Sequence, residues 1–330
     1  MNAPRLLLSA QARGELGGAI AEAAGGTPLE LVTLEAIADD PTQGVDAAFI
    51  SRDITGLSTK HNVLEPLARC YRVLRRSPKL AWVHTHSAGA DRPIYAELKA
   101  RQVAVSTSAG ANAEVVAQTA LGAVIALSRR FAQLFAAQQR REWAPLVAAG
   151  PAPADLAGQT AVLVGWGAIA QRLQPWLAML GLTVIVVRHG HEPAGPGIET
   201  HRYGALKQVL PRAQWLLLAC PLSEATRRLV DAAALAALPR GAMLVNVARG
   251  EVVDEAALIG ALQGGHLGGA FLDVFEQEPL PAGSPLWALP NTLITPHAAS
   301  HAAGNAARAA AIFTGNLGRW LRGEALVNRA

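Results

Sequence analysis

Three polar residues each stand at or near the end of an apolar run, and their types suit one reaction. Arg249 follows Met243–Ala248, His297 follows Asn291–Thr295 and Pro296, and Glu278 lies in the loop between them, just ahead of Pro279. A guanidinium offers a planar fork to a carboxylate or a carbonyl oxygen. An imidazole can pass a proton to a carbonyl oxygen as a hydride reaches the carbon. A carboxylate beside that imidazole orients it and favours its protonated form. The set suits reduction of a 2-keto acid, which carries both a carboxylate and a carbonyl. Each residue also has a bland reading. Arg249 can be a solvated charge, His297 a cap at a strand end and Glu278 an ordinary loop acid. The chemical reading needs a source of hydride upstream.

The stretch Val162-Leu-Val-Gly-Trp-Gly-Ala-Ile-Ala170 supplies one. A buried strand, Ala161–Val164, runs into Gly165, Gly167 and Ala170 at the spacing of the dinucleotide fingerprint G-x-G-x-x-G/A. Gly165 permits a tight turn, Gly167 lets the backbone approach a pyrophosphate, and Ala170 lets helix and strand approach closely. Ala168 and Ile169 open a helix whose N-terminus faces the phosphates. Leu173, Trp176, Leu177 and Leu180 continue it to Gly181, and Thr183–Val187 follows as a second strand. Sites for NAD place an acid about twenty residues beyond the glycines, on the ribose 2′-hydroxyl. Here that place holds Arg188, then His189 and His191, and the first acid is Glu192. NADP(H) is therefore expected over NAD(H), with Arg188 holding the 2′-phosphate. The plainer alternative leaves Arg188 in solvent or stacked on adenine.

Six apolar strands are expected from the fingerprint onward, ending at Gly165, Arg188, Cys220-Pro221, Arg249, Asp273 and Pro296-His297. If all are parallel, these residues share the crevice at the carboxyl edge where doubly wound sheets bind ligands. Asp273 can then accept a hydrogen bond from a nicotinamide carboxamide, or simply start a turn. Upstream, strands are expected at Arg5–Ser9, Leu29–Leu34, Ala47–Ser51, Leu80–His84 and Val103–Ser106, alternating with helices at 14–24, 63–74 and from Glu97. That alternation predicts a small parallel sheet covered by helices. Asn112–Phe131 reads as one long helix, with the loop Gly150–Ala154 ahead of the fingerprint, and Ala302–Arg322 as a terminal helix. Domain limits are expected at 1–112, 113–297 and 298–330.

At 330 residues, 51% hydrophobic and 16% charged, the chain reads as a globular α/β protein with room for two domains. A net charge of +4 with scattered arginines argues against nucleic acid as partner. Two distant cysteines, Cys70 and Cys220, show neither a disulfide framework nor metal spacing. Leu6–Leu8 is too short for a signal peptide or a membrane span, so a cytoplasmic protein with no membrane partner is expected.

Val245-Asn-Val-Ala-Arg-Gly-Glu-Val-Val-Asp254, Leu272-Asp-Val-Phe-Glu-Gln-Glu-Pro-Leu-Pro281 and Thr295-Pro-His-Ala-Ala-Ser300 resemble signatures of the D-isomer-specific 2-hydroxyacid dehydrogenase family. Pro221–Thr226 and Ser87–Asp91 resemble further family motifs. The resemblance implies Arg249 as substrate clamp, Glu278 as histidine partner and His297 as acid/base. It implies cofactor contacts at Ala168, Ile169, Pro221, Val247, Asp273 and Ser300, and substrate carboxylate binding by the N–H groups of Ala88 and Gly89. It implies a Rossmann-type doubly wound domain inserted into a smaller flavodoxin-like α/β substrate domain. It also implies a homodimer joined through the Rossmann domain, with Trp143 as an anchor or as an internally packed side chain. Departures are Gln118 in place of Glu, Ala299 in place of Gly, and Pro175 within the fingerprint helix. His84 and His86 flank the carboxylate turn and read as surface or capping histidines rather than substrate contacts. Arg52 can add a second cation for a second anionic group. The expected activity is reduction of glyoxylate- or hydroxypyruvate-type acids. The alternative is a dinucleotide-sensing, corepressor-like interaction protein. A formate-type enzyme would carry Gln at the position of Glu278. A phosphoglycerate enzyme commonly has a regulatory domain after the position of Ala330.

Overall fold

Leu6, Leu7 and Leu8 are all fully buried although they point alternately to opposite faces. A strand covered on both faces in this way is typical of a parallel sheet between layers of helix. In the computed structural model, which describes residues 3–37, 44–148 and 151–330, these leucines belong to β1 (Arg5–Leu8). The chain continues through α1 (Ala10–Ala24), β2 (Glu30–Thr33), β3 (Ala47–Ile50), α2 (Arg52–Thr55), α3 (Glu65–Arg76), β4 (Trp82–Thr85), α4 (Pro93–Ala100) and β5 (Ala104–Thr107). The strands form one all-parallel sheet in the order β2-β1-β3-β4-β5. Leu7, Ala48, Ile50 and Val83 face α3 and α4, while Leu6, Leu8, Phe49 and Trp82 face the opposite way. Helix α1 begins four residues earlier than the sequence predicts. The Ser9 side chain accepts from the Ala12 N–H at 2.9 Å and caps it there, and Gly25, in the left-handed region, ends it.

The second unit spans 113–301. Its elements are α5 (Ala113–Ser128), α6 (Phe131–Gln139), β6 (Thr160–Val164), α7 (Ala168–Met179), β7 (Thr183–Arg188), β8 (Thr200–Arg202), α8 (Leu206–Val209), β9 (Trp215–Leu218), α9 (Ala232–Ala237), β10 (Ala242–Asn246), α10 (Glu255–Gln263), β11 (Leu267–Leu272) and β12 (Thr292–Ile294). Gly150 of the predicted pre-fingerprint loop lies outside the described residues. Seven parallel strands, not six, take the order β12-β11-β10-β9-β6-β7-β8. The extra strand is β8, Thr-His-Arg, a polar edge strand with no apolar run to betray it. Val162, Val164, Ile185, Leu216 and Leu244 face α8–α10, and Ala161, Leu163, Val184, Leu217 and Val245 face α5 and α7. The predicted helix 112–131 is two helices, α5 and α6, set at 71°. Arg130 takes φ 54° at the break, a conformation no helix can continue through. Pro175 does not interrupt α7.

The chain then enters α11 (Asn305–Leu321), which belongs with residues 1–112. The units divide at 301/302 rather than at the expected 297/298. Phe313 is fully buried and stacks on Phe49 with ring centroids 4.1 Å apart; burying such a ring is worth about 2–3 kcal/mol. Buried Asn316 exchanges two hydrogen bonds with the backbone of Val327, which turns the tail back along the sheet. Ser106 and Arg329 form an antiparallel bridge, so the tail covers the edge of β5.

Candidate active site

Strand register brings the predicted residues onto one edge of the seven-stranded sheet. Val187, Val164, Leu218, Asn246, Leu272 and Ile294 are successive partners across β7, β6, β9, β10, β11 and β12. Arg188 therefore ends a strand on that edge, and Gly165, Pro221, Val247, Arg249, Asp273 and His297 follow the carboxyl ends of others. Strand order reverses between β6 and β9, the point at which such sheets bind ligands.

The residues at the reversal fit a dinucleotide. Gly165 has φ 104°, and a Cβ there would lie 2.7 Å from the Ala219 carbonyl oxygen. Only glycine permits that close approach of the β6 and β9 ends. Gly167 precedes α7, and a Cβ there would meet nothing within 4 Å, so the backbone is open to an incoming phosphate. Ala168 and Ile169 lie in the first turn of α7, whose N–H groups have no intrahelical acceptor. Fully buried Thr226 donates to the Pro221 carbonyl at 2.7 Å and accepts from the Ser223 N–H at 2.8 Å, which fixes the turn carrying Pro221. Val247, directly after β10, is buried. Arg188 ends β7 and reaches its guanidinium to the Glu192 carbonyl at 3.3 Å.

Asp273 has a structural task that its sequence position did not reveal. It is 2% exposed, and its Oδ1 accepts from Thr295 Oγ1 at 2.6 Å, Ala298 N at 2.7 Å and Ala299 N at 3.0 Å. Burial pushes its carboxyl above the ordinary aspartate value, against these donors and His297, which pull it down. The Asp273 carbonyl accepts from the His297 N–H at 2.8 Å. His297 is thereby held at φ 51°, in the left-handed region. Ala299, where a glycine was expected, is buried, and its carbonyl accepts from Thr119 Oγ1 at 3.0 Å. Ser300 follows in the same turn, half-buried, and Gln118 is exposed.

The Glu278 carboxylate meets His297 Nδ1 at 2.8 Å. Its other oxygen accepts from the Phe275 N–H at 3.2 Å. The Glu278 side chain is 14% exposed and that of His297 46%. The carboxylate is thus recessed behind an imidazole that opens outward. An Nδ1–H given to Glu278 leaves Nε2 to carry a proton to and from a substrate. Arg249 is half-buried, with Nη1 on the Ala248 carbonyl at 2.7 Å. Two residues that sequence reasoning passed over hold it. Buried Asn246 accepts from Ala248 N at 3.0 Å and donates to the Arg249 carbonyl at 3.1 Å. Gly250 presses so closely on the 275–276 peptide that a Cβ would lie 1.8 Å from the Phe275 carbonyl carbon. The Arg249 loop and the Glu278 loop therefore touch backbone to backbone. Only a resolved backbone path could find that contact.

In the first unit, Ala88 and Gly89 follow β4 in an exposed to half-buried bend. Among the described residues neither of their N–H groups meets an acceptor. The expectation that His84 is a surface or capping residue is wrong. His84 is fully buried on β4, with Nδ1 2.8 Å from Ser106 Oγ and Nε2 3.0 Å from Ser108 Oγ. Trp82 Nε1 donates to Ser106, and Ser108 Oγ donates to the Thr85 carbonyl, so the network suits a neutral Nε2–H ring. Burial lowers its pKa to about 3. His86 is half-buried; burial and then the Arg52 and Arg92 guanidiniums lower its pKa to about 4. Arg52 is exposed.

Residues 121–299 match the family model described as D-isomer specific 2-hydroxyacid dehydrogenase, NAD binding domain. The chain belongs to that family. As a 2-hydroxyacid dehydrogenase it is an oxidoreductase that uses a nicotinamide dinucleotide. It is 36% identical over 234 residues to a glyoxylate/hydroxypyruvate reductase B of Citrobacter koseri, covering 69% of this chain and 71% of that one. It is 37% identical over 238 residues to an (S)-sulfolactate dehydrogenase of Chromohalobacter salexigens, covering 69% and 73%. A crystal structure of a D-isomer specific 2-hydroxyacid dehydrogenase from Xanthobacter autotrophicus Py2, in complex with NADPH and MES, superposes with a TM-score of 0.76 at 31% identity, covering 100% and 98%.

Proposed function

We propose that this dehydrogenase works as a reductase of small 2-keto acids of the glyoxylate or hydroxypyruvate kind, with NADPH preferred to NADH. The observation that carries the reading is the His297–Glu278 pair at 2.8 Å on the carboxyl edge of the dinucleotide sheet. The bound nicotinamide supplies the hydride. His297 gives the proton to the substrate carbonyl oxygen from Nε2, and Glu278 orients the imidazole for that transfer through Nδ1. Arg249 holds the carbonyl and carboxylate oxygens in its planar fork. The N–H groups of Ala88 and Gly89 are suited to donate hydrogen bonds to a carboxylate, as exposed backbone donors are. The second oxygen of Asp273 receives the nicotinamide carboxamide, and Pro221, Val247 and Ser300 line the same cofactor. The names of the relatives point to more than one acid, and exposed Arg52 suits a second anionic group. A substrate panel therefore needs glyoxylate, hydroxypyruvate and 3-sulfopyruvate, each with both reduced cofactors. Turnover of none of them would favour the sensing, corepressor-like alternative.

Arg188 supports the NADPH preference. It ends β7 where an acid would repel a 2′-phosphate, and a guanidinium binds one through charge-assisted hydrogen bonds. The wild type is expected to show higher kcat/KM with NADPH, and Arg188→Asp to lose or reverse that ranking. Equal or better use of NADH by the wild type would overturn the preference while leaving the reductase reading intact.

We further read the enzyme as a homodimer joined through its dinucleotide unit. Phe135 is 55% exposed, Val147 72% and Trp143 96%, so Trp143 does not pack within its own chain. Large apolar side chains exposed to this extent along one stretch of chain are typical of an interface. Light scattering on the purified protein should return twice the chain mass, and a monomer at micromolar concentration would refute the reading.

A further inference from the structure

We propose that Arg202 is a second cation of the 2′-phosphate site, paired across the sheet edge with Arg188. The inference rests on the NADPH reading above and adds a residue that neither the fingerprint nor the family signatures single out. Its basis is β8, the strand the sequence does not announce. Strands β7 and β8 are parallel, and Arg188 and Arg202 are register partners at their carboxyl ends. Partners in adjacent parallel strands project to the same face about 4.8 Å apart. Two arginines thus stand side by side at the end of the sheet next to the dinucleotide turn.

The neighbouring charges leave that pair uncompensated. Arg202 is exposed, and its side chain makes no hydrogen bond or ion pair among the described residues. Among the described residues the Arg188 side chain bonds a neutral carbonyl, that of Glu192, and no carboxylate. The carboxylate on the same strand segment, Glu199, is committed elsewhere. It accepts from Arg212 at 2.7 and 2.8 Å and from His201 at 2.8 Å, and these partners hold its pKa down to about 2. Like charges directly opposite one another across a strand pair destabilise it. An arrangement of this kind is relieved when an anion binds between the two groups.

The local geometry also ties the two strand ends together. His189, directly after Arg188, lies against Tyr203, directly after Arg202, with ring centroids 6.2 Å apart. A phosphate monoester offers close to two negative charges and three acceptor oxygens. One guanidinium fork satisfies two of those oxygens, and a second fork can take the remaining oxygen and share the charge. The ligand chemistry is therefore the 2′-phosphate of an adenosine ribose, which NADPH has and NADH lacks.

The test measures binding apart from turnover. Calorimetry on wild type and Arg202→Gln should use 2′,5′-ADP and 5′-AMP as probes, with kcat/KM measured for NADPH and NADH. Arg202 is exposed and uncommitted, so the substitution leaves the fold intact; matched melting temperatures would verify this. Arg202→Gln is expected to weaken 2′,5′-ADP and raise KM for NADPH on the order of tenfold, as loss of one charge-assisted pair does. Binding of 5′-AMP and KM for NADH should stay within about twofold. A wild type that binds the two probes equally would overturn the NADPH reading and this proposal with it. A wild type that prefers 2′,5′-ADP, with a variant that prefers it just as strongly, would overturn the role of Arg202 and leave Arg188 as the sole clamp.

Discussion

His297→Asn is expected to cut kcat for a 2-keto acid by on the order of a hundredfold or more, with cofactor affinity nearly unchanged. Asparagine is the informative replacement for a backbone reason. His297 sits at φ 51°, and asparagine is among the few residues that tolerate the left-handed region. The loop held by Asp273 therefore persists in the variant, whereas a β-branched residue would strain it. The amide can still hydrogen-bond Glu278, but it cannot take up and release a proton near neutral pH. What is lost is the general acid alone, worth about a hundred- to ten-thousandfold. Cofactor binding should survive because Gly165, Gly167 and the first turn of α7 lie on other strands and helices. Steady-state kinetics with glyoxylate or hydroxypyruvate, together with NADPH fluorescence titration, measure both quantities. Near-wild-type kcat would remove His297 from proton transfer.

The second large effect concerns a residue with no side chain. Gly250→Ala would place a carbon 1.8 Å from the Phe275 carbonyl carbon, 2.1 Å from its oxygen and 2.3 Å from Glu276 N. All three atoms are backbone, so no rotamer change relieves the overlap and one loop must move. Overpacking of this kind costs typically 1–3 kcal/mol, and the absence of any yielding side chain puts this case at about 3 kcal/mol or more. That corresponds to a fall in Tm of roughly 6–12 °C for a unit of this size. Activity should fall as well, because the displaced loops carry Arg249 on one side and Glu278 on the other. Gly122→Ala is the control. Gly122 lies within α5 with nothing near its Cβ position, and alanine there should be neutral or stabilising by up to about 1 kcal/mol. Thermal melts and kcat/KM of the two variants side by side give the comparison. A Gly250→Ala protein that melts with the wild type would show that the two loops are not locked together.

Much of the architecture is written locally. The glycines at 165 and 167, flanked by a valine-rich run and a helical repeat, specify a strand, a turn and a helix within a dozen residues. Apolar runs at 6–8, 47–50, 161–164 and 215–218 need cover on both faces, and only parallel sheets between helices provide it. The types of residue at the strand ends were readable too, because a polar group after a buried run stands out. Their significance was not, since it depends on register. Arg249 and His297 share an edge because β10, β11 and β12 are parallel partners, and no spacing along the chain states this.

What only the tertiary structure decided involves groups that interact across long stretches of chain. His84 looked like a surface or capping residue because it flanks the turn at 87–91. It is buried because Ser106 and Ser108, on and just after β5, satisfy both ring nitrogens. Asp273 looked like a strand-end ligand and proved also to be the acceptor that folds the His297 turn. The three-residue strand β8 has no apolar signal, since an edge strand needs only one neighbour and little burial. Gly250 is required by a peptide twenty-five residues away. Periodicity and turn chemistry act over a few residues, so they specify elements. Contacts such as these depend on where two distant segments of backbone meet, and that is settled only when the sheet has assembled.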